Sequence, residues 1–261
     1  MQFSGRPNTI KTKSSLFKKW VAPTINVSSP DLPSAIQLWQ SKGLSVNTIK
    51  SLLHITKDYV KQYSGVDLNI KAHISSVVRS KQRLPVTALT AQEIASLTQS
   101  CKASDPKLYL PFMIALNTGM RRGEIFGLKW SNVNLAKGTL QVCESYNGPT
   151  KNGKTRIVPI NDTLKALLLA KRPKGSYNCK EPVIRKRFDP NPRLRKLCRQ
   201  AGIREINFHA LRHSFATLAL EAGRSPKLVS MHLGHSAVST TLDLYWQPTQ
   251  PLMNLEFLPN V

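Results

Sequence analysis

The sequence predicts a mainly α protein of the α+β type. A small helical unit is followed by a mostly helical domain that carries one β-hairpin. Three observations lead there. Apolar residues recur three and four apart along most of the chain, the spacing that lines one face of a helix. Strand-like alternation falls in one place, over Gly138 to Ser145 and again over Thr155 to Ile160. A basic, proline-containing break, Ser80-Lys-Gln-Arg-Leu-Pro-Val, interrupts the helical pattern. With 261 residues the chain suits two domains. The reading is an N-terminal arm over 1–29, a helical unit over 30–82 and a larger domain over 83–261.

The arm is polar and basic, with Lys11, Lys13, Lys18 and Lys19, and Phe17, Trp20 and Val21 as a small anchoring patch. It reads either as a disordered leader or as a segment that orders on a partner. Asp31 to Lys42 predicts a helix with Leu32, Ile36, Leu38 and Trp39 inward. Ser45 caps a second, which carries Val46, Ile49, Leu52, Leu53 and Ile55 and runs to about Tyr63. A third is expected from Asn69 to Arg79.

Past the break, Thr90-Ala-Gln-Glu93 has capping-box spacing and opens a helix. Pro106 to Asn117 is mostly apolar and reads as a buried helix, ended by Thr118-Gly119. Arg121 to Leu128 starts another. The two alternating runs flank Tyr-Asn-Gly-Pro-Thr-Lys-Asn-Gly-Lys, a turn-forming hairpin tip. Asn161-Asp162 caps a helix through Leu169. Residues 171–196 are basic and loop-like up to Pro192, and Leu194 to Gln200 is helical again. Phe208 to Trp246 reads as three short apolar helices, and a proline-rich tail follows.

Charge is the strongest compositional signal: 38 Lys and Arg stand against 14 Asp and Glu, a net +24. Such a surface attracts polyanions, nucleic acid above all, although a soluble basic protein has the same balance. Lys50, Lys57 and Lys81 in the small unit, and Arg122 and Lys154 in the larger domain, are the candidate DNA-backbone contacts. Cys101, Cys143, Cys179 and Cys198 are scattered without a C-x-x-C pair, so neither a zinc ribbon nor a disulfide framework is indicated. No apolar run approaches the roughly 20 residues that span a bilayer. The N-terminus lacks the apolar core of a secretory signal, so a cytoplasmic, reducing location is expected.

Chemistry concentrates in two stretches. In Asn117-Thr-Gly-Met-Arg-Arg-Gly-Glu124 a helix ends and Arg121 follows beside a new helix N-terminus, where free N–H groups favour an anion. Glu124, one turn on, is placed to orient a guanidinium. In Phe208 to Trp246, His209, Arg212, His213, His232, His235 and Tyr245 interrupt apolar helices. Polar groups buried there must be paired. Two fixed guanidiniums, Arg121 and Arg212, would grip a phosphate and stabilise negative charge building on it. Tyr245 then offers a nucleophilic hydroxyl. His209 or His235 would take its proton or steady the phosphate oxygens. Lys151 on the hairpin tip would protonate the departing oxygen; Lys154 is the competing choice, and the Thr-Lys spacing favours Lys151. A phosphotyrosine keeps the energy of the broken ester. Neither a phosphate-binding G-x-x-x-x-G-K loop nor an acidic cluster for two magnesium ions is present in the sequence. His209 and His213, four apart, have zinc-ligand spacing, but H-E-x-x-H is absent; His213 and His232 read as hydrogen-bonding structural histidines.

With TGMRRGEIFGLKW, TKNGKTRIVPI, HALRHSFAT and LGHSAVSTTLDLY in this order, the chain resembles the tyrosine site-specific recombinases of the phage-integrase type. The resemblance covers roughly residues 87–247 well and the front of the chain in layout only. It implies a helical core-binding domain and a catalytic domain closing on double-stranded DNA as a clamp. It implies Arg121 and Arg212 as phosphate-binding arginines, Lys151 as general acid, His209 and His235 as a supporting pair and Tyr245 as nucleophile, with Glu124 and His213 in support. No metal, ATP or other cofactor is implied. A homotetramer with exchange of the C-terminal tail, and accessory DNA-bending proteins, are expected partners. A DNA-binding module without strand exchange and a type IB topoisomerase are the other readings of the same fold and chemistry.

Overall fold

A computed structural model describes residues 1–5, 7–77, 88–146, 148–150, 153–173 and 180–235. The chain divides into two compact units, Met1–Leu84 and Pro85–Val261.

The first unit is helical. Helix α1 (Pro7–Leu16) buries no residue, and a π-helical turn, Phe17–Val21, follows it directly. Asp31 caps α2 (Leu32–Ser41), its side chain accepting from the Ser34 N–H. Ser45 caps α3 (Val46–Ser64) in the same way through Thr48, and Gly65 closes it in the left-handed conformation. Helix α4 is short, Lys71–Ser76. The core gathers Val21, Ile25, Ile36, Trp39, Ile49, Leu52, Leu53, Ile55 and Val60. Residues 1–29 are therefore not a free leader. Val21 and Ile25 are buried in this core, and Trp39 donates its indole N–H to the Trp20 carbonyl. Four apolar side chains between Phe17 and Ile25 outweigh the flanking lysines. Within α2, Ala35 faces the core and Leu38 is exposed, reversing the expectation for Leu38. Of the expected third helix, six of the described residues are helical, and residues 78 and 79 lie outside the described residues.

The second unit is built around α6 (Pro106–Thr118), which is buried along most of its length. Helix α5 (Ala91–Ser104) carries the capping box of Thr90 and Glu93 in full. Helix α7 (Arg122–Gly127) follows the turn at Gly119. The sheet has three antiparallel strands in the order β1 (Val133–Asn134), β2 (Thr139–Val142) and β5 (Arg156–Pro159), with Leu140 opposite Val158. A second small ladder pairs β3 (Glu144–Ser145) with β4 (Gly148–Pro149) at the hairpin root. Strand β1 has no sequence signature, because two residues are too few to show alternation.

Asn161 caps α8 (Asp162–Lys171). Helix α9 runs Pro190–Gln200 and starts four residues before the expected Leu194. Pro190 and Pro192 both sit in its first turn, where the missing N–H groups have no helical partner to lose. Asn207 caps α10 (Phe208–Glu221), and α11 (Pro226–Leu233) ends in left-handed Gly234. The third helix expected before Trp246 falls outside the described residues. No described helix is long and apolar enough to cross a membrane.

Candidate active site

Two helix C-termini form the floor of the site. Helix α6 ends at Thr118–Gly119 and α11 at Leu233–Gly234, and each end leaves backbone carbonyls without a helical donor. Gly119 sits at φ +62°, and a Cβ there would lie 2.5 Å from Leu233 Cδ2 and 2.7 Å from Phe215 Cδ1. Only glycine allows both the turn and the close approach of the helices.

Arg212, 3% exposed, projects from α10 into this junction. Its Nη1 donates to the Gly119 carbonyl at 2.8 Å and its Nη2 to the Leu233 carbonyl at 2.9 Å. Arg121, the residue before α7, donates through Nη2 to the Gly234 carbonyl at 2.8 Å and through Nη1 to Leu233 at 3.4 Å. Both arginine forks are thus hung on the negative ends of two helices, and both retain N–H groups beyond these bonds. Glu124, 2% exposed, accepts from the Arg121 backbone N–H at 2.9 Å and from Arg121 Nη1 at 3.0 Å.

Arg156 completes the cluster, and the sequence reading passed over it. From β5 it donates to both Glu124 oxygens, at 3.0 and 2.7 Å, and through Nε to the His232 carbonyl at 2.7 Å. Its signal was the strand alternation: Arg156 shares a face with buried Val158, whereas Ile157 between them is 68% exposed.

The histidines lie around the arginines. His209 and His213 meet edge to face with centroids 4.7 Å apart. His232 stacks on Phe215 at 4.9 Å, and its Nε2 lies 2.9 Å from the Thr118 carbonyl. His213 buries its Nδ1, which has no hydrogen-bond partner among the described residues. The His235 N–H caps α11 on the Ser230 carbonyl.

Two guanidiniums, Arg121 and Arg156, therefore share the Glu124 carboxylate, while Arg212 is held on backbone carbonyls beside them. Burial raises the Glu124 pKa, but the Arg156 ion pair and then Arg121 outweigh it and hold the carboxyl below its ordinary value. Desolvation, followed by His213, Arg212 and Arg121, pushes His209 down to about 4. Desolvation, with Arg212 and Arg121 next, does the same to His235, also to about 4. Burial, then Arg121, lowers Arg212 to about 9, so it remains a cation at neutral pH. The site holds excess positive charge and neutral imidazoles, the electrostatic complement of a phosphodiester.

The remaining candidates are dispersed. Arg122 is exposed and paired with Asp189 at 3.1 Å. Lys154 is exposed beside the hairpin, its carbonyl accepting from Thr150. Lys50 is half-buried on α3, and Lys57 is engaged by Asp67 at 2.7 Å. Lys81, Lys151 and Tyr245 lie outside the described residues. Among the described residues, no group of three or more His, Cys, Asp or Glu side chains is disposed to hold a metal ion.

Residues 87–250 match the sequence profile of the phage integrase family. The chain belongs to that family, the tyrosine site-specific recombinases. This integrase-family chain is 28% identical over 243 residues to the tyrosine recombinase XerA of Pyrococcus furiosus, covering 90% of itself and 82% of that protein. Its fold is shared with the Tn1549 transposon integrase solved with transposon right end DNA, at TM-score 0.73 and 18% identity, over 95% of this chain and 92% of that one. It is shared too with a lambda integrase tetramer bound to a Holliday junction, at TM-score 0.68 and 18% identity, over 96% and 76%.

Proposed function

We propose that this recombinase cleaves and rejoins double-stranded DNA at a specific site through a covalent 3′-phosphotyrosine, and so integrates or excises a mobile element. The observation that carries the reading is the pair of arginine forks, Arg121 and Arg212, held on one shared carbonyl, that of Leu233. Forks so anchored present their remaining donors in fixed directions, the preorganisation that a developing phosphorane charge requires. The Tyr245 hydroxyl attacks the scissile phosphorus. The bond to the 5′ oxygen breaks, and Lys151 supplies the proton that the leaving oxygen takes up. His209 and His235, kept neutral by their surroundings, are free to accept the phenol proton or to donate to a phosphate oxygen. The reverse attack by a 5′ hydroxyl reseals the strand without ATP, because the phosphotyrosine conserves the ester's energy.

Lys50, Lys57, Lys81, Arg122 and Lys154 contribute to holding the DNA backbone. Strand exchange between two duplexes calls for four active sites, hence a homotetramer on DNA joined by its C-terminal tails, with DNA-bending proteins as accessory partners.

The test is a duplex nicked next to the cleavage site, on which religation fails and the covalent adduct accumulates. Wild type should give a shifted protein–DNA band that maps to Tyr245. Tyr245→Phe and Arg212→Ala should bind the duplex and give no band, since affinity is spread over many phosphate contacts. A covalent band from Tyr245→Phe sinks the mechanism. Binding by wild type with no adduct would make the chain a DNA-binding module, and adducts without site preference would make it a topoisomerase.

A further inference from the structure

We infer that Arg156 is a positioning residue of the cleavage site: from the root of the β-hairpin it orients Arg121 through Glu124 and pins the backbone that leads to His235. The inference rests on the recombinase reading above. One carboxylate is shared between two guanidiniums. Arg156 donates to Oε1 at 3.0 Å and Oε2 at 2.7 Å, while Arg121 uses the same oxygens through its side chain and its backbone N–H. The third Arg156 bond, from Nε to the His232 carbonyl at 2.7 Å, fixes the last turn of α11. A Cβ on Gly234 would stand 3.1 Å from Arg156 Nη1, so the guanidinium is also packed against that glycine. Segments far apart in the chain, α7, β5 and the end of α11, meet on one side chain that is 12% exposed. Arg156 lies at the root of the hairpin, five residues after Lys151 in the sequence. Docking of that hairpin and alignment of Arg121 are therefore one event.

Removing Arg156 has a definite chemical consequence. Glu124 is 2% exposed, and a buried carboxylate persists as an anion only while paired. The charged groups facing it are Arg121 at the start of α7, Arg156 from β5 and Arg212 from α10. His232 faces Arg156, and the rings of His209, His213 and His235 face Arg212. Without Arg156 the carboxyl keeps Arg121 as its only direct ion-pair partner among the described residues, burial favours its protonated form, and the charge-assisted bonds that aim Arg121 weaken.

The experiment is single-turnover cleavage of the nicked duplex by the full chain across about pH 5.5 to about pH 9, for wild type, Arg156→Ala, Arg156→Lys and Glu124→Gln. DNA affinity and melting temperature are measured on the same samples. Arg156→Ala should cleave about 100-fold more slowly than wild type near pH 6, with DNA affinity within about threefold. The ratio of variant to wild-type rate should recover about tenfold as pH rises and Glu124 ionises. Glu124→Gln should be slow with a flat ratio, and Arg156→Lys intermediate. A ratio near one, or a loss equal at every pH, overturns the inference. Should Arg156→Ala not fold, Arg156→Lys carries the same test with about a tenfold loss. A wild type that forms no adduct refutes the cleavage reading, and the orienting of Arg121 by Arg156 is then decided separately. Arginine side-chain NMR then decides, with Arg156→Lys expected to shift the Arg121 Nε–H resonance; an unmoved resonance overturns the positioning role.

Discussion

At the scale of single residues, the site turns on charge that the fold leaves unbalanced. His209 and His235 titrate near 4 in the folded chain, against about 6.5 when unfolded. Between those values the unfolded chain binds more protons, so stability is full above about pH 6.5 and is lost as pH falls toward 4. The melting temperature of the free protein should fall over that window, and DNA or inorganic phosphate should shrink the fall by stabilising the imidazolium forms. A melting temperature that is flat from neutral pH down to about 4 would show that burial and the nearby arginines do not hold these histidines neutral. The residues themselves were legible: H-x-L-R-H and the glycine–arginine turn announce anion chemistry. Arg156 was not, because one arginine in a basic hairpin looks like surface charge until its strand face is known.

At the scale of elements, caps were the most readable feature. Ser45, Thr90 and Asn161 each accept from the N–H three residues on, as their short polar side chains allow; Asp31 and Asn207, which do the same, carried no such expectation. Packing between elements was not readable. Gly123 and Gly127 lie one turn apart on α7, and the hairpin root crosses them. A Cβ at Gly127 would come within 2.6 Å of the Ser145 carbonyl carbon and of the Tyr146 nitrogen. Tyr146 donates its backbone N–H to the Gly123 carbonyl at 2.9 Å, which stitches the hairpin to the helix that starts beside Arg121. Gly127→Ala must push backbone aside, so it should cost about 1–3 kcal/mol of stability, read by denaturant titration. It should slow cleavage more than it weakens DNA binding, because the displaced hairpin carries the proposed general acid. Equal losses in binding and cleavage would count against that coupling.

At the scale of the whole molecule, each unit has its own apolar core. The net charge of +24 acts on a different quantity, affinity for DNA. Binding should weaken steeply with salt, by on the order of a thousandfold or more between about 50 and about 200 mM, if six or more phosphates are contacted. A shallow slope in a salt titration of a duplex would mean that the charge serves another partner. Local patterns along the chain were enough for the helical class, the caps at Ser45, Thr90 and Asn161, the hairpin and the family motifs. These depend on neighbours within a few residues, where periodicity and side-chain chemistry act directly. It took the folded chain to show that residues 17–25 join the first core, that β1 exists, and that α6, α7, β5, α10 and α11 bring Arg121, Glu124, Arg156 and Arg212 to one point. Such convergence depends on which faces and helix ends meet across more than a hundred residues, and no local pattern encodes it.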